Sequence, residues 1–308
     1  MSGPDFEDDK TQIRGVVTPL GTATAKSQNA YLIVISGKAV GKMFKLATGE
    51  MVIGRSDQAQ ILLDDDGVSR KHAKVQRGPD GQVRIVDLQS TNGTYCDGVR
   101  IDSHVLRDGD KVQIGNATIL KFSYQDDLEE AFQRQLYESA TKDGLTKIFN
   151  KKFFLERLRH EVSYSLRHSL PVTLLIIDVD FFKKVNDTHG HQAGDYVLGR
   201  LASVVGETIR GEDVFARYGG EEFALILREC TEEKGLLMGE RLRALVAGTD
   251  FTWGEVRIPV TISLGVACLS GGNYGSPDDL IAAADGFLYE AKRKGRNRVE
   301  GARTQGRR

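Results

Sequence analysis

From Tyr31 to about Tyr124 the apolar residues come in short runs. YLIVI, GKMFKL, MVIG, QILL, HAKVQ, VRIVDL, KVQIG and TILKFSY follow one another, separated by ATGE, GPDGQ, STNG, CDG and DGD. Short runs between Gly, Asp and Asn turn signals predict an all-β sandwich. At 126–141 the period changes, with Leu128, Phe132 and Leu136 at i, i+4 and i+8 behind opening aspartates. This predicts a linker helix within 125–142, whose apolar stripe suits pairing with its twin in a homodimer. From Asp143 onward helical and strand patterns alternate. FFLERLRHEVSYSLRH, GDYVLGRLASVVGETI, EEKGLLMGERLRALVA and PDDLIAAADGFLYEAKRKG read as helices. VTLLIID reads as a buried central strand, VFARYGGEEFALIL as a hairpin and RIPVTISLGVA as a further strand. Together they predict an α+β sheet covered by helices.

The ends differ from both domains. Residues 1–29 have no sustained apolar period and carry Asp5, Glu7, Asp8 and Asp9, so they read as a disordered acidic tail. The chain after Val299 is basic and reads as loose. The expected layout is therefore a tail at 1–29, a β domain at 30–124, a linker at 125–142, an α+β domain at 143–302 and a basic tail at 303–308.

Composition narrows the function. Forty-two Lys and Arg against 43 Asp and Glu, a net charge of −1, does not call for nucleic acid as a partner. The sequence has no apolar run of membrane-spanning length, and MSGPDFEDDK lacks the basic and apolar parts of a signal peptide, so no membrane partner is expected. Cys96, Cys230 and Cys268 form neither a disulfide framework nor a zinc pattern, which points to the cytoplasm.

Three turns of the β domain carry phosphate chemistry: Gly54-Arg55, Ser69-Arg70-Lys71-His72, and Ser90 to Thr94. Arginine offers a planar donor fork to phosphate oxygens, and hydroxyls add neutral donors. Singly, each is an ordinary surface turn, and His72 reads as a hydrogen-bonded structural residue. Gly37-Lys-Ala-Val-Gly41-Lys42-Met43 imitates a phosphate loop. One spacer is missing and Met43 stands where a hydroxyl is needed, so it reads as a hairpin turn.

In the second domain the buried strand ends in Asp178-Val179-Asp180. Residues i and i+2 share a face, which would aim both carboxylates one way. Such oxygen ligands suit Mg²⁺, with Mn²⁺ as an alternative. Gly219-Gly220 reads as a hairpin turn through positive φ, with Glu221 and Glu222 at its mouth. Without such a role, Asp195 would be a helix N-cap and Asn186 a turn residue.

In this order, GRS, VSRKHA, the Asp87–Thr94 run and DGVRI resemble the forkhead-associated (FHA) family over about 31–123. The resemblance implies phosphothreonine-peptide binding. It assigns phosphate contact to Arg55, Ser69, Arg70 and Thr91, peptide-backbone contact to Asn92, and structural roles to His72 and Gly54. DGLTKIFN at 143–150, DVDFFKKVND at 178–187, GHQAGD at 190–195, RYGGEEF at 217–223 and AKRKGRN at 291–297 resemble the GGDEF family, in its glutamate variant. That resemblance implies a fold like the polymerase palm and class III nucleotide cyclases. It also implies an enzyme that joins two GTP into cyclic di-GMP with release of two pyrophosphates.

The same resemblance implies roles. Asp178, Glu221 and the Val179 carbonyl hold Mg²⁺, and Glu222 is a second metal ligand or the proton acceptor. Asn186 and Asp195 bind the guanine edge. Phe181, Phe182 and Lys183 border the phosphates, and Lys292 and Arg296 contact the terminal ones. Arg210-Gly-Glu-Asp213 matches the family's inhibitory product site, to which Arg241 would add. The expected protein is a dimeric diguanylate cyclase governed by an FHA module. Its phosphopeptide would be a partner's or its own tail, phosphorylated by a Ser/Thr kinase at Thr11 beside Asp8-Asp9-Lys10. The rivals are a receptor that binds GTP or cyclic di-GMP without turnover, and a phosphopeptide-dependent scaffold.

Overall fold

The computed structural model describes residues 29–271 and 273–302. Thr11 with its acidic tail, and residues 303–308, lie outside the described residues.

The first domain comprises β1 (Asn29–Ser36), β2 (Met43–Lys45), β3 (Gly49–Gly54), β4 (Ile61–Leu62), β5 (Ala73–Arg77), β6 (Val83–Asp87), β7 (Thr94–Cys96), β8 (Val99–Ile101), β9 (Ser103–Val105), β10 (Lys111–Ile114) and β11 (Thr118–Gln125). One sheet has the order β2-β1-β11-β10-β7-β8 and the other β4-β3-β5-β6-β9. Leu32, Val34, Leu120 and Phe122 from the first sheet meet Ile53, Val75 and Ile85 from the second in one buried cluster. The apolar runs mark most of these strands. They do not mark β7, β8 and β9, because Thr94, Arg100, Ser103 and His104 break these three-residue strands and leave no apolar run. The Gly37–Met43 segment turns between β1 and β2, with Gly37 at φ 111°.

The remainder comprises α1 (Asp127–Thr141), α2 (Lys151–His168), β12 (Val172–Val179), α3 (Phe182–His189), α4 (His191–Gly206), β13 (Val214–Arg217), β14 (Glu222–Arg228), α5 (Glu232–Gly248), β15 (Thr252–Trp253), β16 (Val256–Arg257), β17 (Ile262–Leu269), α6 (Pro277–Arg293) and β18 (Val299–Gly301). The main sheet runs β13-β14-β12-β17-β18, with β12 central and antiparallel to both neighbours. Every residue of β12 is buried, because helices cover both faces. Leu175, Ile177 and Val179 pack with α3, α4 and α5, whereas Val172, Leu174 and Ile176 pack with α2 and α6. By the two-residue period, Asp178 continues the row facing α2 and α6.

The expectation of a loose chain after Val299 is corrected. Val299–Gly301 forms β18, parallel to β17 and buried, because Val299 completes the apolar cluster beside Val266.

Asp126 caps α1 in a capping box with Glu129. Tyr31 donates a hydrogen bond to Glu130, and the Tyr137 ring lies over Gly41, where an added Cβ would come within 3.0 Å. Another face of α1 is left open: Leu128, Phe132 and Leu136 are 78%, 59% and 47% exposed. The domains are also joined by charge. Asp64 of the sandwich accepts from Arg157 on α2, and Arg228 on β14 lies 3.0 Å away. Arg167 reaches Asp66 at 2.8 Å. Buried Glu161 pairs with both Arg157 and Arg228, so the inter-domain charges form a network.

Candidate active site and ligand-binding loops

The β12 row delivers Asp178 to the end of the sheet, directly opposite Glu222 across the β12–β14 pair. Only 5% of Asp178 is exposed, and Lys292 on α6 reaches its Oδ2 at 2.8 Å. Burial pushes the Asp178 carboxyl up to about 6; Lys292 works against that shift and the charges of Glu221 and Glu222 add to it. A buried carboxylate with two more acids beside it offers the charged oxygen ligands that a hard divalent cation takes.

Asp180 departs from the expectation of two carboxylates aimed together. It lies beyond the last residue of β12 and is held by Ser263 Oγ at 2.6 Å, Thr261 Oγ1 at 2.8 Å and the Asn297 backbone N–H at 3.0 Å. Those three donors tie the chain after α6 to the sheet.

The Gly219-Gly220 hairpin forms, but not through positive φ: neither glycine is in the left-handed region. Space explains Gly219. A Cβ there would come within 2.5 Å of Glu222 Oε2, so the missing side chain lets the Glu222 carboxylate fold over the turn. Gly220 faces open space. Its carbonyl accepts from Arg217 at 2.7 and 3.1 Å, and Arg217 also reaches Asp143 at 3.3 Å. Asp143 in turn accepts from the Thr146 hydroxyl and backbone. Asp143 and Arg217 thus brace the hairpin against the 143–150 segment. Both lie inside quoted motifs, but their pairing spans a sequence separation that no periodicity reports.

Phe181 precedes α3 in the left-handed region at φ 55° and is 61% exposed. The Arg296 guanidinium lies 4.5 Å from its ring centre, and Lys183 is exposed nearby in sequence. Phe182 is different: its ring is buried in the core, so only its backbone is available at the helix start. Asn186 lies inside α3 rather than in a turn. A Cβ on Gly194 would come within 1.9 Å of Asn186 Oδ1, so this glycine allows α3 and α4 to approach. The N-cap reading of Asp195 is corrected. Helix α4 begins at His191 behind Gly190, so Asp195 stands within the helix with its carboxylate exposed.

Arg210, Asp213 and Arg241 line one cavity of about 280 Å³. Buried Asp213 accepts from the Arg210 backbone N–H at 3.1 Å, which closes the RGED turn; burial raises its pKa. The Arg210 side chain is 75% exposed and 3.7 Å from Glu212.

In the sandwich, Ser69 and Thr91 meet. The Thr91 backbone N–H donates to Ser69 Oγ at 3.1 Å, and the two hydroxyl oxygens are 3.4 Å apart. Asn92 donates to the Gly67 carbonyl at 2.8 Å. Fully buried His72 accepts from the Ser69 N–H at 3.0 Å through Nδ1, which leaves Nε2 to donate to the Gly93 carbonyl at 3.1 Å. Burial lowers its pKa, so it stays neutral and joins the two loops. Gly54 admits no side chain, because a Cβ would lie 2.1 Å from the Arg70 carbonyl oxygen. Arg55 and Arg70 are exposed.

Two family models match the chain. The family described as "Diguanylate cyclase, GGDEF domain" matches residues 140–298, and the FHA domain matches residues 51–115. Diguanylate cyclase DosC of Escherichia coli K12 is 37% identical over 174 residues, 56% of this chain and 37% of its own length. Response regulator PleD of Caulobacter vibrioides is 39% identical over 180 residues, 58% of this chain and 39% of its own length. The chain thus spans under half the length of these relatives. The crystal structure of the coiled coil and GGDEF domain of DgcB from Caulobacter crescentus, in complex with c-di-GMP, superposes with a TM-score of 0.53. It is 34% identical and covers 57% of this chain and 92% of that one. Diguanylate cyclase SiaD from Pseudomonas aeruginosa, in complex with its activator SiaC, gives a TM-score of 0.52 at 36% identity, covering 57% of this chain and 66% of that one.

Proposed function

We infer from a chain that belongs to the GGDEF family of diguanylate cyclase domains, and carries an FHA domain ahead of it, that the protein joins two GTP into cyclic di-GMP under phosphothreonine control. One observation carries this reading: buried Asp178 gathers with the partly buried Glu221 and Glu222 and with Lys292 at one end of the sheet.

Asp178, Glu221 and the Val179 carbonyl would hold Mg²⁺, or Mn²⁺ in its place. When bound, the cation would polarise the α-phosphate and favour attack by a ribose 3′-hydroxyl. Lys183, Lys292 and Arg296 neutralise triphosphate charge. Lys292 pairs with Asp178 at 2.8 Å and would turn to a phosphate if the carboxylate held a cation. Phe181 holds the Arg296 guanidinium at the same mouth, and the Phe182 backbone N–H borders the phosphates. Asn186 and Asp195, on the adjoining α3 and α4, bind the guanine edge and favour GTP over ATP. Glu222, folded over Gly219, serves as a second cation ligand or accepts the hydroxyl proton. Open space at Gly220 lets phosphate approach the backbone.

Each domain holds one GTP, so two domains must meet face to face. The exposed Leu128–Phe132–Leu136 stripe supports a homodimer through α1. Arg55, Ser69, Arg70, Thr91 and Asn92 form the phosphopeptide site, and Arg210, Asp213 and Arg241 the product-inhibition site. A Ser/Thr kinase acting on Thr11 would supply a tethered ligand at an effective concentration near ~1 mM, enough to fill a weak site. Docking of that tail would alter how the two catalytic domains meet. Among the described residues no helix is long and apolar enough to cross a membrane, and the cysteines are unpaired, as suits a reducing cytoplasm.

The test is chromatography of the products formed by purified protein from GTP and from ATP, with divalent cation, before and after threonine phosphorylation. GTP-dependent cyclic di-GMP supports the reading, whereas binding of GTP without turnover would make the protein a receptor. If turnover responds identically to kinase treatment in the natural, Thr11→Ala and Arg55→Ala proteins, the tail switch is wrong.

A further inference from the structure

The FHA loops and the RGED turn lie in different domains, yet both border one space. A cleft of about 510 Å³ between the domains is lined by Arg55 and Arg70 of the sandwich and by Arg210 and Arg228 of the catalytic domain. Arg210 and Arg228 also line the inhibitory cavity that holds Asp213 and Arg241. The two spaces therefore share a wall, with Arg210 facing both. The network of Asp64 with Arg157 and Arg228 fixes the domains at the cleft margin, so the shared wall is a property of the docked arrangement.

The arginines differ in their freedom. Arg228 is tied to Asp64 and Glu161. Among the described residues the Arg55 and Arg70 side chains have no ion-pair partner, and Arg210 has only the loose contact to Glu212. The cleft thus offers three largely uncommitted guanidinium groups, from two domains, to anionic ligands. It also carries fixed negative charge in Asp57, Asp65, Asp66, Glu212 and Glu229, which offsets the arginines and leaves little capacity for two multivalent anions together.

We propose that a phosphothreonine peptide on Arg55 and Arg70 and a cyclic dinucleotide on Arg210 weaken one another's binding in this cleft. This rests on the FHA and inhibitory-site readings above and goes beyond them by coupling the two. A phosphothreonine brings a charge of ~−1.5 to −2, and the dinucleotide brings two phosphodiester charges. Like charges in a space bounded by protein repel more strongly than in water, and the peptide chain also takes up volume at the shared wall. Phosphopeptide binding then weakens product inhibition, and accumulated product weakens peptide binding. Reciprocity is required, since a coupling free energy has one value whichever ligand binds first.

The experiment uses the full unphosphorylated chain. Titration calorimetry measures the component of cyclic di-GMP binding that Arg210→Ala removes, with and without a saturating peptide of residues 5–17 phosphorylated on Thr11. The unphosphorylated peptide is the control. The expected result is weakening by about fivefold or more, within the usual range of allosteric coupling, and an equal weakening of peptide by dinucleotide. A second arm needs no peptide: Arg55→Glu and Arg70→Glu, on exposed loops, should each weaken the same component of dinucleotide binding by a similar factor. Equal dinucleotide affinity in both arms, with both ligands bound, overturns the coupling and leaves the two site readings standing. If the peptide does not bind, its assignment as the ligand falls and the glutamate arm decides the coupling. If Arg210→Ala removes no dinucleotide binding, the inhibitory-site reading and the coupling fall together.

Discussion

Lys292 Nζ stands 2.8 Å from Asp178 Oδ2, joining the last helix to the central strand at the site where the acids gather. This single ion pair faces Glu221 and Glu222, and the Asp178 carboxyl is pushed up to about 6 chiefly by burial. The site thus holds its proton more tightly when folded than an unfolded chain does.

A raised carboxyl pKa contributes stability that is present below the unfolded value of about 4 and is lost as pH rises through about 6. In chelator, the melting temperature should therefore gain a falling component between pH 4 and 6, and Asp178→Asn should remove it. After allowance for solvent screening, the substitution should stabilise the metal-free protein at pH 7 by on the order of 1 kcal/mol while abolishing synthesis. Thermal melts across pH check this; an unchanged pH profile in Asp178→Asn would refute it.

Glu221→Gln should abolish cyclic di-GMP synthesis with the fold intact. A neutral amide is a poorer ligand for a hard cation than a carboxylate, and Glu221 is only partly buried, so the exchange leaves packing alone. Near-normal turnover with an unchanged circular dichroism spectrum would remove Glu221 from the cation site.

Arg210→Ala should relieve product inhibition. Losing one charged hydrogen-bonding partner costs ~1.5–3 kcal/mol, about ten- to hundredfold in affinity. The side chain is largely exposed, so initial rates at low product should not change. Progress curves with added cyclic di-GMP measure the inhibition constant directly.

Asp64→Ala should loosen the two domains without unfolding either. Two arginines from the catalytic domain meet at this carboxylate, and they hold it below the usual carboxylate range although burial alone would raise it. Removing it leaves Arg157 and Arg228 on Glu161, so the cost should be modest, about 1–2 kcal/mol. Faster hydrogen exchange in α2 and in the 61–68 loop, with the interiors of both sheets unaffected, is the expected signature.

Phe132→Glu should lower specific activity in a concentration-dependent way while the monomer's melting temperature stays within about 1 °C, because surface changes away from contacts cost little. Phe132 is exposed midway along the α1 stripe, where a charge would repel its twin in the proposed homodimer. Equal activity per chain at all concentrations would assign dimer contact to another surface.

Alternating apolar runs, turn residues and helical spacing were enough to read two domains, the linker helix and most strands from the chain alone. These are local signals: the unbroken apolar run VTLLIID and the aspartates that open the linker helix each consist of residues adjacent in sequence. The motifs also marked the candidate site residues, because carboxylates, glycines and arginines are recognisable by type in the sequence. Tertiary structure decided how those residues are used. Asp180 looks like the partner of Asp178 by strand period, yet it goes to Thr261, Ser263 and Asn297 because the strand ends one residue before it. Gly219 is required by the Glu222 carboxylate rather than by φ, and Phe182 is drawn into the core while Phe181 stays outside. The basic end contains a buried strand because Val299 finds an apolar cluster built from distant segments. The cleft that brings Arg55 and Arg70 beside Arg210 depends on how the domains dock, and docking rests on contacts such as Asp64 with Arg228. Local periodicity carries no information about pairs so far apart in sequence, so that arrangement exists only in the folded chain.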